Sequence, residues 1–424
     1  MRATQHNAPH APQGTGMAVF AGAFFALRIA IVLLCARVLG LEPRTGAILT
    51  IVAGIVLLAL VCFHSLGASD TTGAPTLPTR ALLRLPAMRW VLLFLLVSGL
   101  SFAWTGSVAP SASFVYWCAL IVDVATVLLL LRGNSSTETA QAVMRGFLYG
   151  SCAIAILAWM MPIQSDLRLG DPDYLNTNQI GNLCAFALFF AQYLERSSSH
   201  KWTLAKTLLL LTLVRSLSKT TLVAFFLSQS YLLLRDKSIS HRKKISLTLG
   251  ALVLALAFWS LFAAYFDVYT NAGNQSETLT GRTGIWALAL ESALTKPWLG
   301  NGFDAMWKVI PPLGIDRFEP RHAENELLQQ FYAYGVAGIV LLAGIYSALF
   351  RHFRRISERP QRILLISLML FILVRGLAEA EPFDLLLPLW SIALFSVLAA
   401  RPNNALEPAP HALQPANPAI VTSM

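Results

Sequence analysis

The feature that most constrains this chain is a succession of twelve apolar runs. They fall at 17–39, 46–64, 90–108, 113–132, 142–162, 177–195, 203–216, 219–235, 245–265, 324–350, 361–379 and 383–400. A helix needs roughly 20 mainly apolar residues to cross the hydrocarbon layer, so the runs predict an all-α, polytopic membrane protein of about twelve transmembrane helices. Composition agrees: 13% of the residues are charged, about half the share of a soluble domain. The stretch 203–235 is interrupted only by Arg215-Ser216-Leu217-Ser218-Lys219. One helix over that length would far exceed a crossing, so two shorter helices meeting at a polar turn are expected.

The first run is long enough to span and reads as a retained helix rather than a cleaved signal peptide. Residues 1–16 and 401–424, rich in Pro, Ala and Asn, read as disordered tails. Between them lie helices one to nine (17–265), a long polar loop (266–323) and helices ten to twelve (324–400). Basic residues set the orientation. The loops 235–244 and 351–362 each hold five Lys or Arg, and the positive-inside rule makes both cytoplasmic. Loops 65–89 and 196–202 and both termini then fall on the cytoplasmic side. The segments 163–176, 215–219, 266–323 and 376–382 face outward. A net charge of +10 spread over short inter-helix loops is what topology demands, and it argues against a nucleic-acid partner. The five cysteines, Cys35, Cys62, Cys118, Cys152 and Cys184, all sit in apolar runs without metal-ligand or disulfide spacing.

The stretch from Gly281 to Gly335 is the longest polar segment, and it concentrates Arg282, Lys296, Lys308, Arg317, Arg321, His322 and Glu324. Thr283 to Leu294 has apolar residues at helical spacing, with Thr280 or Thr283 as a cap and Pro297 as a stop. It predicts an amphipathic helix on the membrane surface. Arg282 would stand beside the positive end of that helix dipole, a conflict that an anion such as phosphate resolves. An exposed arginine on a solvated loop is the bland alternative. Gly300-Asn301-Gly302 lacks nucleotide-loop spacing and reads as a tight turn. Arg215 and Lys219 are placed to reach an anion at the membrane surface or to snorkel to headgroups. His322 and Glu324 are the side chains suited to take a proton near neutral pH. Standing two apart, they would diverge on a continuing helix, so one base is expected, unless they form only a helix boundary with a capping acid. Arg28 and Asp123, isolated inside spans, are expected to pair with each other, or Asp123 with Arg145.

Four motifs, in order and spacing, resemble the O-antigen ligase and Wzy-type polymerase superfamily of bacterial inner-membrane glycosyltransferases. They are Asp173 to Gly181, Ser218-Lys219-Thr220-Thr221-Leu222, Thr280-Gly281-Arg282 through Trp286 to Gly302, and Glu324-Asn325-Glu326-Leu327-Leu328-Gln329 with Gly335. The chain departs from the pattern twice. Lys219 stands where arginine is usual, which keeps the charge but loses the bidentate fork. Glu324 stands where a histidine is frequent, with His322 two residues upstream.

The resemblance implies a GT-C-like fold in the inner membrane with a periplasmic site. The donor would be an undecaprenyl-diphosphate-linked glycan, and the acceptor a glycan or lipid A core. Arg282, Lys219 and Arg215 would hold the diphosphate, and Glu324 or His322 would deprotonate the acceptor. Asn325, Asn178, Trp286 and Arg321 would contact the glycan. No cofactor motif or metal-binding carboxylate cluster stands in the outer loops, so metal-independent chemistry is expected, and polysaccharide export machinery is a conceivable partner. The departure from the His-Asn form leans toward a polymerase over a ligase. A lipid-linked glycan flippase is the alternative of another class, favoured only by Arg28 and Asp123, and a structural assembly protein is a third.

Overall fold

The computed structural model describes residues 15–71, 79–132, 136–164, 167–171, 173–198, 200–260, 263–264, 279–312 and 319–399. The expected tails fall almost wholly outside these residues, as do 265–278 of the long loop and Arg317. The described residues form helices, with one isolated bridge between Asp171 and Leu175. Apart from a short turn of helix at Thr79–Leu83, the helices in chain order are α1 (Thr15–Arg37), α2 (Pro43–Thr71), α3 (Pro86–Leu100), α4 (Pro110–Leu131), α5 (Ser136–Met160) and α6 (Thr177–Ser197). Then come α7 (Thr203–Ser216), α8 (Lys219–Arg235), α9 (His241–Ala257), α10 (Leu279–Thr295), α11 (Glu326–Arg354), α12 (Arg359–Arg375) and α13 (Leu389–Ala399).

Among the described residues, each of the twelve apolar runs overlaps a helix, but six helices, α1 to α5 and α11, are long and apolar enough to cross a membrane by length and composition. The remaining helices are shorter or more polar. α7 has 14 residues and α13 has 11, and α6, though 21 residues long, carries Asn178, Gln179, Glu195 and Arg196. A helix enclosed by neighbours need not be apolar over a whole crossing, and α6 and α13 are buried along most of their length. Trp390 of α13 stacks on Phe25 of α1 with ring centroids 4.5 Å apart. The polar turn at 215–219 is borne out. α7 ends where Leu217 takes a left-handed conformation (φ 58°), and α8 begins at Lys219.

The helices pack through small residues. α1 and α5 cross so closely that a Cβ added to Gly22 would meet the Val143 carbonyl, and one added to Gly146 would meet that of Val19. Such close backbone approach supplies the dispersion that holds helices together in lipid, where burial alone gives no driving force. The Arg28–Asp123 pair joins α1 to α4 within this bundle. Arg28 begins a short 3₁₀ turn that interrupts α1.

α11 is broken at Gly335, whose φ of 61° and ψ of −148° no helix tolerates. The break frees backbone groups, and the segment after α10 takes them up. Asn301 and Gly302 donate to the carbonyls of Tyr332 and Ala333, while Val336 donates to Pro297. A side chain at Gly335 would collide with the carbonyl of Pro297 at 2.4 Å, and one at Gly300 with the backbone of Ala333 at 2.5 Å. Glycine is required at both because the chains touch and because φ is positive. The tight turn expected at Gly300-Asn301-Gly302 is therefore the splice that moors α10 to α11.

The four segments expected on one face share one end of the bundle. Arg37, at the end of α1, binds Asp171 at 2.8 Å and Asp173 at 2.9 Å. Thr177 bonds to the carbonyl of Ser216, joining 163–176 to the turn at 215–219. At the opposite end, Arg196 bonds to Asp236 at 2.7 Å and to the carbonyl of Pro360, which gathers the basic loops together.

Candidate active site

Arg282 lies in the first turn of α10, a helix that starts at Leu279 and so is longer than expected. Thr283 is inside it and does not cap it. The helix buries Ile285, Ala289 and Ala293, an i, i+4, i+8 seam, and packs on α11 beside Ala305, Met306, Ala323 and Tyr332. This seam aims Arg282 at the bundle, leaving its side chain 12% exposed.

Three other parts of the chain converge on its guanidinium, the first turn of α8, the connection into α11 and the expected outer segment 376–382. Nη1 donates to the carbonyl of Ala378 and, at 3.3 Å, to Thr220 Oγ1 of α8. Nη2 donates to Glu379 Oε1 at 3.1 Å and lies 3.3 Å from Glu324 Oε2. The anion that the helix dipole calls for is thus supplied by two carboxylates of the protein.

Glu324 and His322 do not sit on a continuing helix, because α11 begins at Glu326, two residues later than expected. Glu324 has a φ of 49°, a left-handed conformation costly for a residue with a side chain. The turn reverses the chain, so the two side chains meet instead of diverging. His322 Nδ1 lies 3.7 Å from Glu324 Oε1 and accepts a hydrogen bond from the Glu324 backbone N–H at 3.3 Å. An accepting Nδ1 places the ring proton on Nε2. Burial raises the affinity of Glu324 for its proton. The His322 ring and Arg282 oppose that rise, while neighbouring Glu379 adds to it, and the balance is upward. A carboxyl held up in this way can accept a proton closer to neutral pH than an ordinary glutamate.

The other expected residues divide. Lys219 opens α8 next to Thr220, and the positive charges of Arg168 and Arg282 act on it, which makes this corner of the site cationic. Arg215 is buried and donates to the carbonyl of Leu167, bracing the 163–176 segment. Asn178 accepts from Ser218 at 2.8 Å, tying the start of α6 to the same turn. Trp286 donates from Nε1 to the Glu324 carbonyl at 3.3 Å, holding the strained residue from behind. Asn325 caps α11 by accepting from Leu328 N–H at 2.9 Å, and its amide donates to Leu377 O at 2.9 Å. Arg321 stacks over Trp307, 4.9 Å from the ring centre. An apolar cleft of about 360 Å³ opens between α10 and α11, lined by Trp286, Leu290, Asn325, Leu328 and Phe331 among others, and Glu324 is not in its lining.

Glu379 and Arg375 lie outside the four motifs, and Thr220 and Glu326 stood within them without an assigned role. The acidic run Glu379-Ala380-Glu381 falls within 376–382. Carboxylates at the end of an apolar run, on the face where arginines gather, were a signal for Glu379. Glu326 is buried and accepts from Tyr346 Oη and from Leu386 N–H at 2.9 Å, which fixes the connection between α12 and α13 against α11.

A family match falls on this same region, and two curated proteins resemble the chain over part of its length. Residues 204–343, from α7 to the middle of α11, match the family model described as O-antigen ligase (Wzy_C). An O-antigen ligase of Pseudomonas aeruginosa is 31% identical over 172 residues, which is 40% of this chain and 39% of that protein. The exopolysaccharide production protein ExoQ of Rhizobium meliloti is 21% identical over 320 residues, covering 69% of this chain and 72% of its own. The match to the Pseudomonas protein thus spans about two fifths of its length, whereas that to ExoQ spans nearly three quarters.

Proposed function

From the match of residues 204–343 to the O-antigen ligase family model, we propose that this chain is a glycosyltransferase of polysaccharide assembly, acting on a glycan linked to a lipid diphosphate. The observation that carries the proposal is the Arg282 cluster: a half-buried guanidinium, Lys219 beside it, and a carboxylate with raised proton affinity 3.3 Å away. In the transfer, an acceptor sugar hydroxyl attacks the anomeric carbon of the donor. The bond from that carbon to the diphosphate oxygen breaks, and the hydroxyl proton passes to Glu324, whose Oε1 lies 3.7 Å from His322 Nδ1. Charge builds on the leaving diphosphate. Arg282 and Lys219 stabilise it there, as preorganised donors do at developing anions. Arg215, committed to Leu167 O, serves by shaping the loop that borders the site.

Basic residues gather at the far end of the bundle, in the loops that Arg196 ties together. By the positive-inside rule, that end is cytoplasmic and the site opens to the periplasm of a bacterial inner membrane. The six helices apolar enough to cross support such a location. Two acceptors suit the chemistry. The Pseudomonas relative is named an O-antigen ligase, which favours lipid A core, and the longer match to an exopolysaccharide production protein favours a growing glycan.

Glycans from a deletion strain complemented with single variants test both points. Arg282→Ala, or Glu324→Ala combined with His322→Ala, should abolish product, and full product from both would refute the enzymatic role. In the deletion strain, single repeat units on lipid A without long chains indicate a polymerase. Long lipid-linked chains left unattached indicate a ligase.

A further inference from the structure

Arg282 faces two carboxylates, and they are not equivalent. Glu324 is 17% exposed in its side chain, makes one contact of 3.3 Å to Nη2, and hangs on a left-handed residue in a short connection. Glu379 is 5% exposed and spreads its two oxygens between two arginines. Oε1 accepts from Arg282 at 3.1 Å, and Oε2 lies 3.9 Å from Arg375 Nη2. Arg375 itself is 2% exposed, and its Nε and Nη1 have no hydrogen-bond partner. A buried guanidinium with open donors is costly. What it contributes here is charge, set behind Glu379.

An arriving diphosphate competes with Glu324 and Glu379 for the Arg282 guanidinium. One carboxylate must give way. The contact that opens is the one to Glu324, which is single, longer and nearer solvent. Glu379 keeps a second cationic partner, Arg375 Nη2 at 3.9 Å, whereas Glu324 has no second arginine contact among the described residues.

We propose that Glu379 is a positioning residue. Backed by Arg375, it keeps the Arg282 guanidinium in place while the diphosphate displaces Glu324, so that substrate binding itself frees the base. The proposal rests on the lipid-diphosphate chemistry proposed above. The charged groups facing Glu324 are Arg282 from α10, His322 from its own connection, and Arg375 and Glu379 at the end of α12. Glu381 lies near Arg375 and Glu379, and Lys219 of α8 feels the charge of Arg282.

The test is the pH profile of glycan transfer by the full-length chain in membranes of the complemented strain, which supply the native donor and acceptor. Inorganic pyrophosphate serves as a competing probe of the anion site. In Glu379→Gln, Arg282 loses its anchor and turns to Glu324. Transfer should fall between about ten- and a hundredfold, as misplacement of a catalytic group does. The acid limb should move down by about one pH unit, because a neighbouring negative charge is gone. Pyrophosphate inhibition should weaken. Glu379→Asp keeps the charge but shortens the reach, so its rate should fall while its acid limb stays at the wild-type position.

A wild-type rate and acid limb in Glu379→Gln overturns the proposal. So does a slower enzyme with an unmoved acid limb, which marks the residue as structural only. If Glu379→Gln does not accumulate in the membrane, a wild-type rate in Glu379→Asp overturns it instead. Full transfer by Arg282→Ala and Glu324→Ala is the separate result that removes the underlying chemistry. Loss in those two with an unaffected Glu379→Gln removes the positioning role alone.

Discussion

Arg28 and Arg282 each lie against acidic side chains from distant parts of the chain, yet the first bonds to one carboxylate and the second is shared by two. Arg28 pairs with Asp123 between two spanning helices, and its role ends in joining α1 to α4. Arg282 sits where α8, α10, the approach to α11 and the end of α12 meet. Around it the structure tolerates what the first pair avoids: a left-handed glutamate and a buried arginine with open donors. A closed pair is a fastener. A cation held among competing carboxylates, under local strain, is set to exchange partners, and strain of this kind clusters at functional sites.

Breaking each arginine's environment should therefore give opposite phenotypes. Arg282→Ala should reduce transfer by about a thousandfold or more, the scale on which oxyanion-stabilising groups act, while the protein still accumulates in the membrane. Asp123→Ala leaves Arg28 without its counter-charge and should cost about 3–5 kcal/mol of stability. It should show as loss of folded protein with normal specific activity in what remains. Product measurements normalised to folded protein separate the two. Equal losses of specific activity would mean that the contrast between fastener and exchange site is wrong.

A smaller effect sharpens the comparison on the carboxylate side. Glu324 must be ionised to take a proton, and burial together with Glu379 raises its proton affinity. Transfer should therefore fall off on the acid side at a higher pH than the ordinary glutamate value of about 4.3. Glu324→Gln should lose between about a hundred- and ten-thousandfold, as loss of a general base does. Glu324→His should recover part of that loss, with an acid limb near the imidazole value of about 6.5. A profile in Glu324→Gln that keeps the wild-type acid limb would assign the proton to His322.

Much of this architecture was legible because hydropathy and charge report directly on a bilayer. The run boundaries at 203–216 and 219–235 match α7 and α8 as expected. Loops predicted to share a face do meet, at Arg282 and at Arg196. What the pattern could not give were interactions set by long-range packing. The two-residue spacing of His322 and Glu324 implied divergence only on a helix, and the turn that brings them together depends on Trp286 and Gln329 holding the backbone. Gly335 stood out as a motif member, but its reason, the splice with Pro297 to Gly302, lies over thirty residues away in sequence. Glu379 lay in a loop predicted to face outward, with no motif to single it out.

The smallest predicted effect concerns Asn325, expected from the motif to touch the glycan. Its side-chain oxygen and nitrogen are both committed to backbone, at Leu328 N–H and Leu377 O. Asn325→Ala should therefore lower stability by about 0.5–2 kcal/mol, the worth of a helix cap, and move the thermal midpoint of the detergent-solubilised chain down by a few degrees. Because Asn325 also bridges to the connection bearing Ala378 and Glu379, the rate should fall modestly while the donor KM stays near the wild-type value. Asn325→Asp keeps the capping oxygen and loses only the bond to Leu377, so it should restore most of the midpoint. A raised KM with an unchanged midpoint would instead mean that the amide leaves its cap to bind substrate. Asn325 would then join Arg282 among the groups that change partners.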